Sequence, residues 1–349
     1  MLAKAIDGIP DRDDLIFEPK WDGFRCIVFR SGDEVILGSR NERPLTRYFP
    51  EMLDPIRRMV PDRCVIDGEL IVATDDHLDF DALQQRIHPA ESRVNMLAEK
   101  TPAAFIAFDL LAVGDTDLRP SPFGERRDRL AAALAKVEPP LHLTPTTTDH
   151  DVAAEWFRVF EGAGLDGLIA KPIADPYVEN KRTQFKVKHV RSADAVVAGF
   201  RWHKDNEGVG SLLLGLYNPN GDLQHVGVAA SFTKKQRSEL VDELKPLAEN
   251  ALESHPWRSW AEADAHADGR MPGAPNRWSS KRDHSWVPLR IERVVEVKYG
   301  STLNGRFREV TKVLRWRPDK TPAECDFDQL DEPEPVGLGR VLTSQPHSS

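Results

Sequence analysis

The stretch Glu18–Arg30, EPKWDGFRCIVFR, is the first place in the chain where residue types and spacing could do chemistry. Lys20 stands two residues before the pair Asp22-Gly23, Arg25 follows, and an apolar run begins. A lone lysine is ordinarily a solvated surface group. Here Gly23 permits close backbone approach or an unusual dihedral. Arg25 adds a fixed cation that can bind phosphate or ribose. The usual nucleotide loops, G-x-x-x-x-G-K-[ST] and G-x-G-x-x-G, are absent from the sequence. The three cysteines (Cys26, Cys64, Cys325) are odd in number and widely spaced. They form neither a disulfide framework nor a C-x-x-C zinc pattern, and a reducing cytoplasm is the expected compartment.

The elements that must position these residues are mixed. Gly23–Arg30, Glu34–Leu37, Cys64–Val72 and Ala103–Leu111 read as strands. Helical patterns over Tyr48–Met59, Ala82–Ile87, Pro89–Glu99, Gly124–Lys136 and Val152–Gly162 separate them at uneven intervals, which predicts an α+β fold. After His189 the texture changes. Asp194–Phe200, Gly210–Tyr217, Gln224–Ala229 and Val294–Tyr299 read as strands, Asn218–Asp222 as a hairpin turn and Thr233–Leu247 as an intervening helix. That arrangement fits a small OB-fold barrel. Residues 250–286 are expected to be an elaborated connection, and 331–349, acidic and then rich in Gly, Pro and Ser, a flexible tail.

With 349 residues the chain has room for two domains. No apolar run approaches the roughly 18 residues a membrane helix needs, and the N-terminus has no signal-like region. The net charge of −9 by itself argues against a nucleic-acid partner. Local charge matters more. Lys181–Arg191 holds five basic residues and no acid, and Arg306–Lys320 is also basic. Glu324–Glu334 carries six acids and no base.

The pattern K-x-D-G-x-R at Lys20, Asp22, Gly23 and Arg25 resembles motif I of the covalent nucleotidyltransferases, which include ATP-dependent DNA ligases, RNA ligases and capping enzymes. Six further stretches resemble the rest of the series in the family's order: Ser39-Arg40-Asn41, Asp67–Leu70, Phe105–Leu111, Asp166–Lys171, Phe185–Lys188 and Arg315–Lys320. The resemblance reaches to about Asp331 and is closest to the small bacterial ATP-dependent DNA ligases of the ligase C type. It implies an ATP-grasp-like nucleotidyltransferase domain over 1–189 and an OB-fold domain over 190–330. One departure stands out: Asp166 occupies a position where many members have Glu.

The resemblance implies three transfers: Lys20 takes AMP from ATP, AMP moves to the 5′-phosphate of a nick, and the 3′-hydroxyl displaces it. A free lysine has a pKa near 10.4, so on the order of one in a thousand is nucleophilic at neutral pH. Lys186, Lys188, Arg25 and a bound Mg²⁺ or Mn²⁺ are expected to disfavour its ammonium form and to neutralise phosphates. Glu69 and Asp166 are the implied metal ligands, although Asp67-Gly68 also suits a simple turn. Phe108 is expected to stack on the purine, with Leu168 and Val187 closing its other side and Glu18 accepting from the adenine 6-amino group. Arg40 is assigned to the nicked strand as well as to the nucleotide. Arg317 and Lys320, with Asp319, are expected to orient pyrophosphate from a C-terminal domain that swings about a hinge at Lys188–Asp194.

The implied partner is nicked duplex DNA, handled by a monomer in the bacterial cytoplasm near the nucleoid, with a DNA repair role by analogy and no assignable protein partner. Two other readings share some of these residues. An RNA-end ligase or capping enzyme would use the same scaffold, and Glu18 weighs against GTP. A binding protein with a decayed site would be expected to have lost some of Lys20, Arg25, Glu69, Lys186, Lys188 or R-x-D-K, all of which are intact.

Overall fold

The computed structural model describes residues 1–39, 43–205, 207–260, 285–303, 305–330 and 333–344. Arg40, Asn41, Trp278, most of the 250–286 connection and residues 331–332 and 345–349 therefore lie outside the described residues. The chain divides into two compact units, Met1–Lys188 with the segment from Pro333 onward, and His189–Glu332.

Two sheets build the first unit. In the larger one, Glu34–Ser39, Phe24–Ser31, Arg63–Thr74 and Ala103–Val113 run antiparallel in that order. Alternation explains why Phe24–Ser31 is a strand there: Cys26, Val28 and the stem of Arg30 are buried, while Phe29 between them is exposed. One face carries Met52, Ile56, Leu83 and Leu130 from the helical segments packed on it. From the other, Ile71 and Ile106 pack with Leu15, Phe17, Leu168 and Ala170 of the smaller sheet. That sheet has the order Leu2–Ala5, Arg182–Lys188, Gly167–Pro172, Leu15–Pro19. The helix His150–Val159 closes the same core with Ala153 and Trp156. It starts where the Asp149 side chain accepts the backbone N–H groups of Asp151 and Val152 at 2.8 and 3.1 Å.

In the second unit, strands Leu223–Ala229, Val209–Tyr217, Arg191–Trp202, Val294–Tyr299 and Lys312–Trp316 are neighbours in that order. Thr311 joins the two edges. Its N–H donates to the Val228 carbonyl at 2.9 Å and its carbonyl accepts from Ala230 N–H at 3.2 Å. The sheet is thereby bridged into a small barrel. A helix, Lys234–Ala248, follows the third strand and starts in a capping box between Thr233 and Gln236. This is the OB-fold arrangement. The three cysteines are free and buried. Among the described residues no helix is long and apolar enough to cross a membrane.

Two expectations need correction. Of the residues expected as a hinge, Lys188–Asp194, Arg191–Asp194 already pair with Glu296–Tyr299 in the barrel. Only His189 and Val190 separate that strand from Arg182–Lys188. The tail is not uniformly loose either. Residues 338–342 form a short helix whose Leu338 and Val341 are buried in the core of the first unit. Val336 N–H donates to the Gly162 carbonyl, and Leu338 N–H to that of Asp76. Composition misses this because two aliphatic residues suffice once a distant surface covers them. Leu338→Ala should accordingly lower stability by about 2–4 kcal/mol in urea denaturation followed by tryptophan fluorescence. An unchanged midpoint would mean the segment does not pack in solution.

Candidate active site

The smaller sheet sets the site by its register. Ile169 lies opposite Glu18 on one neighbour and Lys186 on the other. Side chains alternate across a strand, so Ile169 and Lys171 share a face with Glu18, Arg182, Gln184 and Lys186. That face lines a cavity of about 290 Å³, completed by Lys20, Trp21, Arg25, Glu69 and Phe108 with residues 2, 3 and 19. Of the residues singled out by sequence, Glu18, Lys20, Arg25, Glu69, Phe108 and Lys186 meet there. A Cβ at Gly23 would lie 2.2 Å from the Leu70 carbonyl oxygen, so the close backbone approach expected of this glycine is what lets the loop reach the larger sheet.

Lys20 is held beside Asp166 by the backbone. Lys20 N–H donates to the Gly167 carbonyl at 2.8 Å, and Asp166 N–H donates back to the Lys20 carbonyl at 3.1 Å. The Lys20 Nζ then sits 2.6 Å from Asp166 Oδ2, and Lys188 Nζ lies 3.1 Å from the same oxygen. Burial alone would raise the Asp166 carboxyl, but Lys20 and Lys188 overcome it and hold it at about 2. Lys20 therefore has a carboxylate as its ion-pair partner, shared with one of the expected cations, Lys188.

Arg25 also has a fixed acidic partner. It grips Asp67 with two N–H groups, one of them at 2.8 Å, and donates to the Met1 carbonyl at 2.9 Å. Tyr177 donates to the same carboxylate at 2.9 Å. Burial pushes Asp67 up, yet Arg25 and Tyr177 keep it below its ordinary range. Half-buried Glu69 meets the opposite outcome. Burial pushes it up to about 8, against the opposing pull of Arg25 and Lys20.

Phe108 lines the cavity on the face it shares with Ile106 by alternation, and the pairing shifts beside it. Asp67 pairs with Asp109, but Gly68 pairs with Ala107, so Phe108 is the extra residue of a bulge. Arg25 lies 5.2 Å and Lys171 4.6 Å from its ring centre. Leu168 and Val187 do not line the cavity. They face one another in register and are buried, Leu168 in the core on the opposite face from Ile169. Ile169 and Lys171 take their place, one step along the alternation. Lys171, Gln184 and Arg182 were missed as site residues. Strand alternation from Lys186 and from the end of D-G-L-I-A-K was the signal for them.

In the second unit, Arg317 and Lys320 are held by acids of that unit. Arg317 Nη1 donates to both Asp194 oxygens at 2.9 and 2.8 Å, and its other nitrogens donate to Asp319. Lys320 Nζ is 2.9 Å from Asp194. Gln329 pins Asp194 from both sides of its backbone. Asp194 is a further residue that sequence reasoning gave no role in this cluster.

Among the described residues no group of three or more His, Cys, Asp or Glu is placed to hold a metal. A magnesium ion bound through one or two carboxylates, substrate phosphates and water does not need one. Glu69 and Asp166 fit that donor set.

A cavity with a half-buried lysine, paired cations and an aromatic wall, on one unit of two whose other unit is an OB barrel, fits the class of nucleotidyltransferases. The family described as "ATP dependent DNA ligase domain" matches residues 1–188, and the one described as "ATP dependent DNA ligase C terminal region" matches 205–320. The chain belongs to the ATP-dependent DNA ligases. It is similar to DNA ligase C of Mycobacterium tuberculosis, 53% identical over 350 residues that cover 98% of this chain and 96% of that protein. With DNA ligase C2 of Mycolicibacterium smegmatis the identity is 55% over 337 residues, covering 95% and 94%. A solved Lig E DNA ligase shares the fold, with a TM-score of 0.56 at 18% identity over 90% of this chain and 98% of that one.

Asp67→Asn should strand the Arg25 charge against a neutral amide. Removing one partner of a buried pair costs about 3–5 kcal/mol, and Arg25 is 23% exposed, so a loss near the lower end is expected in urea unfolding. A loss below about 1 kcal/mol, the range of exposed pairs, would contradict the role given to this pair.

Proposed function

We propose that the protein seals 3′-hydroxyl/5′-phosphate nicks in duplex DNA, using ATP and a lysyl-AMP intermediate on Lys20. The observation that carries this reading is Lys20 itself, fixed by two backbone hydrogen bonds at the wall of a cavity that also presents Arg25, Lys186 and Phe108. In the first step the Lys20 amine, having lost its proton, bonds to the α-phosphorus while the bond to pyrophosphate breaks. In the second, a 5′-phosphate oxygen bonds to the same phosphorus and the P–N bond breaks. In the third, the 3′-oxygen bonds to the 5′-phosphorus, its proton leaves, and AMP departs.

Lys186, Lys188 and Arg25 neutralise the phosphates. Phe108 stacks on the purine, and Glu18 accepts from its amino group. Glu69 and Asp166 would hold Mg²⁺ or Mn²⁺, which supplies charge neutralisation at the phosphates when bound. The Lys20 Nζ, 2.6 Å from Asp166, would be freed for attack once that ion pair opens. Arg317 and Lys320 orient the pyrophosphate. Arg40, from the sequence pattern alone, contacts the nicked strand. The substrate fits a monomer acting at the bacterial chromosome in the cytoplasm, with DNA repair as the process it serves.

Incubation with α-labelled ATP and either metal, then a chase with nicked duplex, tests the reading. Label should appear on the protein and leave with sealed DNA, and label from GTP instead would favour a capping enzyme. Lys20→Ala should lose at least about 10³-fold in both labelling and sealing; retained label would put the nucleophile elsewhere. Arg317→Ala should lose roughly 10²-fold in self-adenylylation but less than about tenfold in sealing a pre-adenylylated nick. Equal losses would contradict that division of labour.

A further inference from the structure

Glu18 is 2% exposed, yet it lines the cavity. Its two oxygens differ. Oε2 is 2.6 Å from Lys171 Nζ, whereas Oε1 is buried and has no hydrogen-bond partner. A buried acceptor left unpaired costs free energy that a ligand donor can recover. Lys171 is itself 3% exposed. Its ammonium lies 4.6 Å from the ring centres of both Phe108 and Phe123 and 3.4 Å from the Phe108 carbonyl. These contacts offset part of the cost of burying the cation.

We propose that Lys171 is a positioning residue that sets the choice of base, by fixing Glu18 as an ionised acceptor whose free oxygen meets the 6-amino group of adenine. This rests on the reading that the purine of ATP occupies this cavity. A carboxylate offers only lone pairs. It accepts from a 6-amino group but opposes the 6-oxo group of hypoxanthine or guanine, where two acceptors would face each other. A protonated carboxyl carries a donor and meets a 6-oxo group instead. The charge state of Glu18 therefore discriminates the bases, and Lys171 is the ion-pair partner that holds it.

The surroundings make that support necessary. Burial pushes the Glu18 carboxyl above its ordinary value, with Lys171 and then Arg127 opposing and Asp109 adding to the rise. Arg127, on the helix Phe123–Ala133, is buried and donates to the Thr144 carbonyl. Asp109, on the strand Ala103–Val113, is already matched by Arg126 at 2.8 and 2.9 Å. Without Lys171, burial favours the neutral acid at low pH and ionisation returns as pH rises.

The test is self-labelling of the full chain with α-labelled ATP and with ITP, which carries the 6-oxo group without the 2-amino group, between pH 6 and 9. In the unaltered protein the ATP-to-ITP ratio of labelling efficiencies should be high and flat with pH. In Lys171→Met, which keeps length and apolar bulk, the ratio should fall at least about tenfold at pH 6 and recover towards pH 9. Lys171→Arg, which keeps the charge, should preserve the ratio. A role in folding alone would lower labelling by both nucleotides equally and leave the ratio unmoved, and that result overturns the proposal. Should Lys171→Met fail to fold, Glu18→Gln decides. Its amide presents a donor as well as an acceptor, so the ratio should fall and show no dependence on pH, and an unchanged ratio rejects the proposal. No label from any nucleotide in the unaltered protein, with Lys20 shown free of AMP by mass spectrometry, would reject the nucleotidyltransferase reading itself.

Discussion

The register of Gly167–Pro172 between its two neighbours is the constraint on which the site depends. Because side chains alternate with a period of two, a slip of one residue would turn Ile169 and Lys171 into the core and Leu168 and Ala170 into the cavity. Gly167 helps to pin it. Its φ of +131° is one that other residues rarely adopt, and a Cβ there would lie 2.1 Å from the Val187 carbonyl oxygen. The same glycine accepts the hydrogen bond from Lys20 N–H. One backbone position thus joins the first segment of the site to residues more than 140 positions later, and the Lys20–Asp166 pair follows from it.

Around that frame, most buried charges of the first unit are paired, while buried Arg127 donates to the Thr144 carbonyl instead. Asp67 has Arg25 and Tyr177, Asp109 has Arg126, Glu18 has Lys171, and Glu51 has Arg86. A buried charge without such a partner is expensive, and the pairs tie together segments far apart in sequence. They also show why the cations in the site are not a simple positive patch. Lys20 and Lys188 share Asp166, and Arg25 belongs to Asp67. The cavity can therefore fold without incoming phosphates to satisfy it.

Much of this was legible in the sequence, and what was not has identifiable physical causes. Glu69 and Phe108 lie on strands that the apolar runs Cys64–Val72 and Ala103–Leu111 announce, and the resemblance to the motif series joined them to Lys20 and Lys186 in one site. The partners were not legible. Asp67 looked like a turn residue, and nothing local marks it as the counter-ion of Arg25, which lies across a strand pair. Leu168 and Val187 were placed in the cavity because they neighbour the right residues, yet the pleat sends them to the other face. Phe108 reaches the cavity as alternation from Ile106 gives it, whereas the bulge beside it, which sets Asp109 opposite Asp67, is a departure that no local pattern shows. The tail segment 333–344 reads as loose by composition, and its two buried aliphatics become visible only where the surface that covers them is folded.

The barrel unit repeats the same electrostatic principle with a different geometry. Arg317 and Lys320 together carry two positive charges, and Asp194 and Asp319 supply two negative ones. The cluster is neutral as folded, and long-range attraction alone would not recruit a polyanion to it. Carboxylate and phosphate nevertheless present similar acceptor oxygens to a guanidinium fork. Replacing one with the other exchanges like contacts rather than creating contacts from water, so the desolvation of the cation has already occurred. The cost that remains is that of the released carboxylate, which is small for Asp319, 60% exposed, and larger for Asp194, 10% exposed. Phosphate should therefore displace Asp319 while Asp194 keeps its hold, leaving Arg317 anchored on one edge and available on the other.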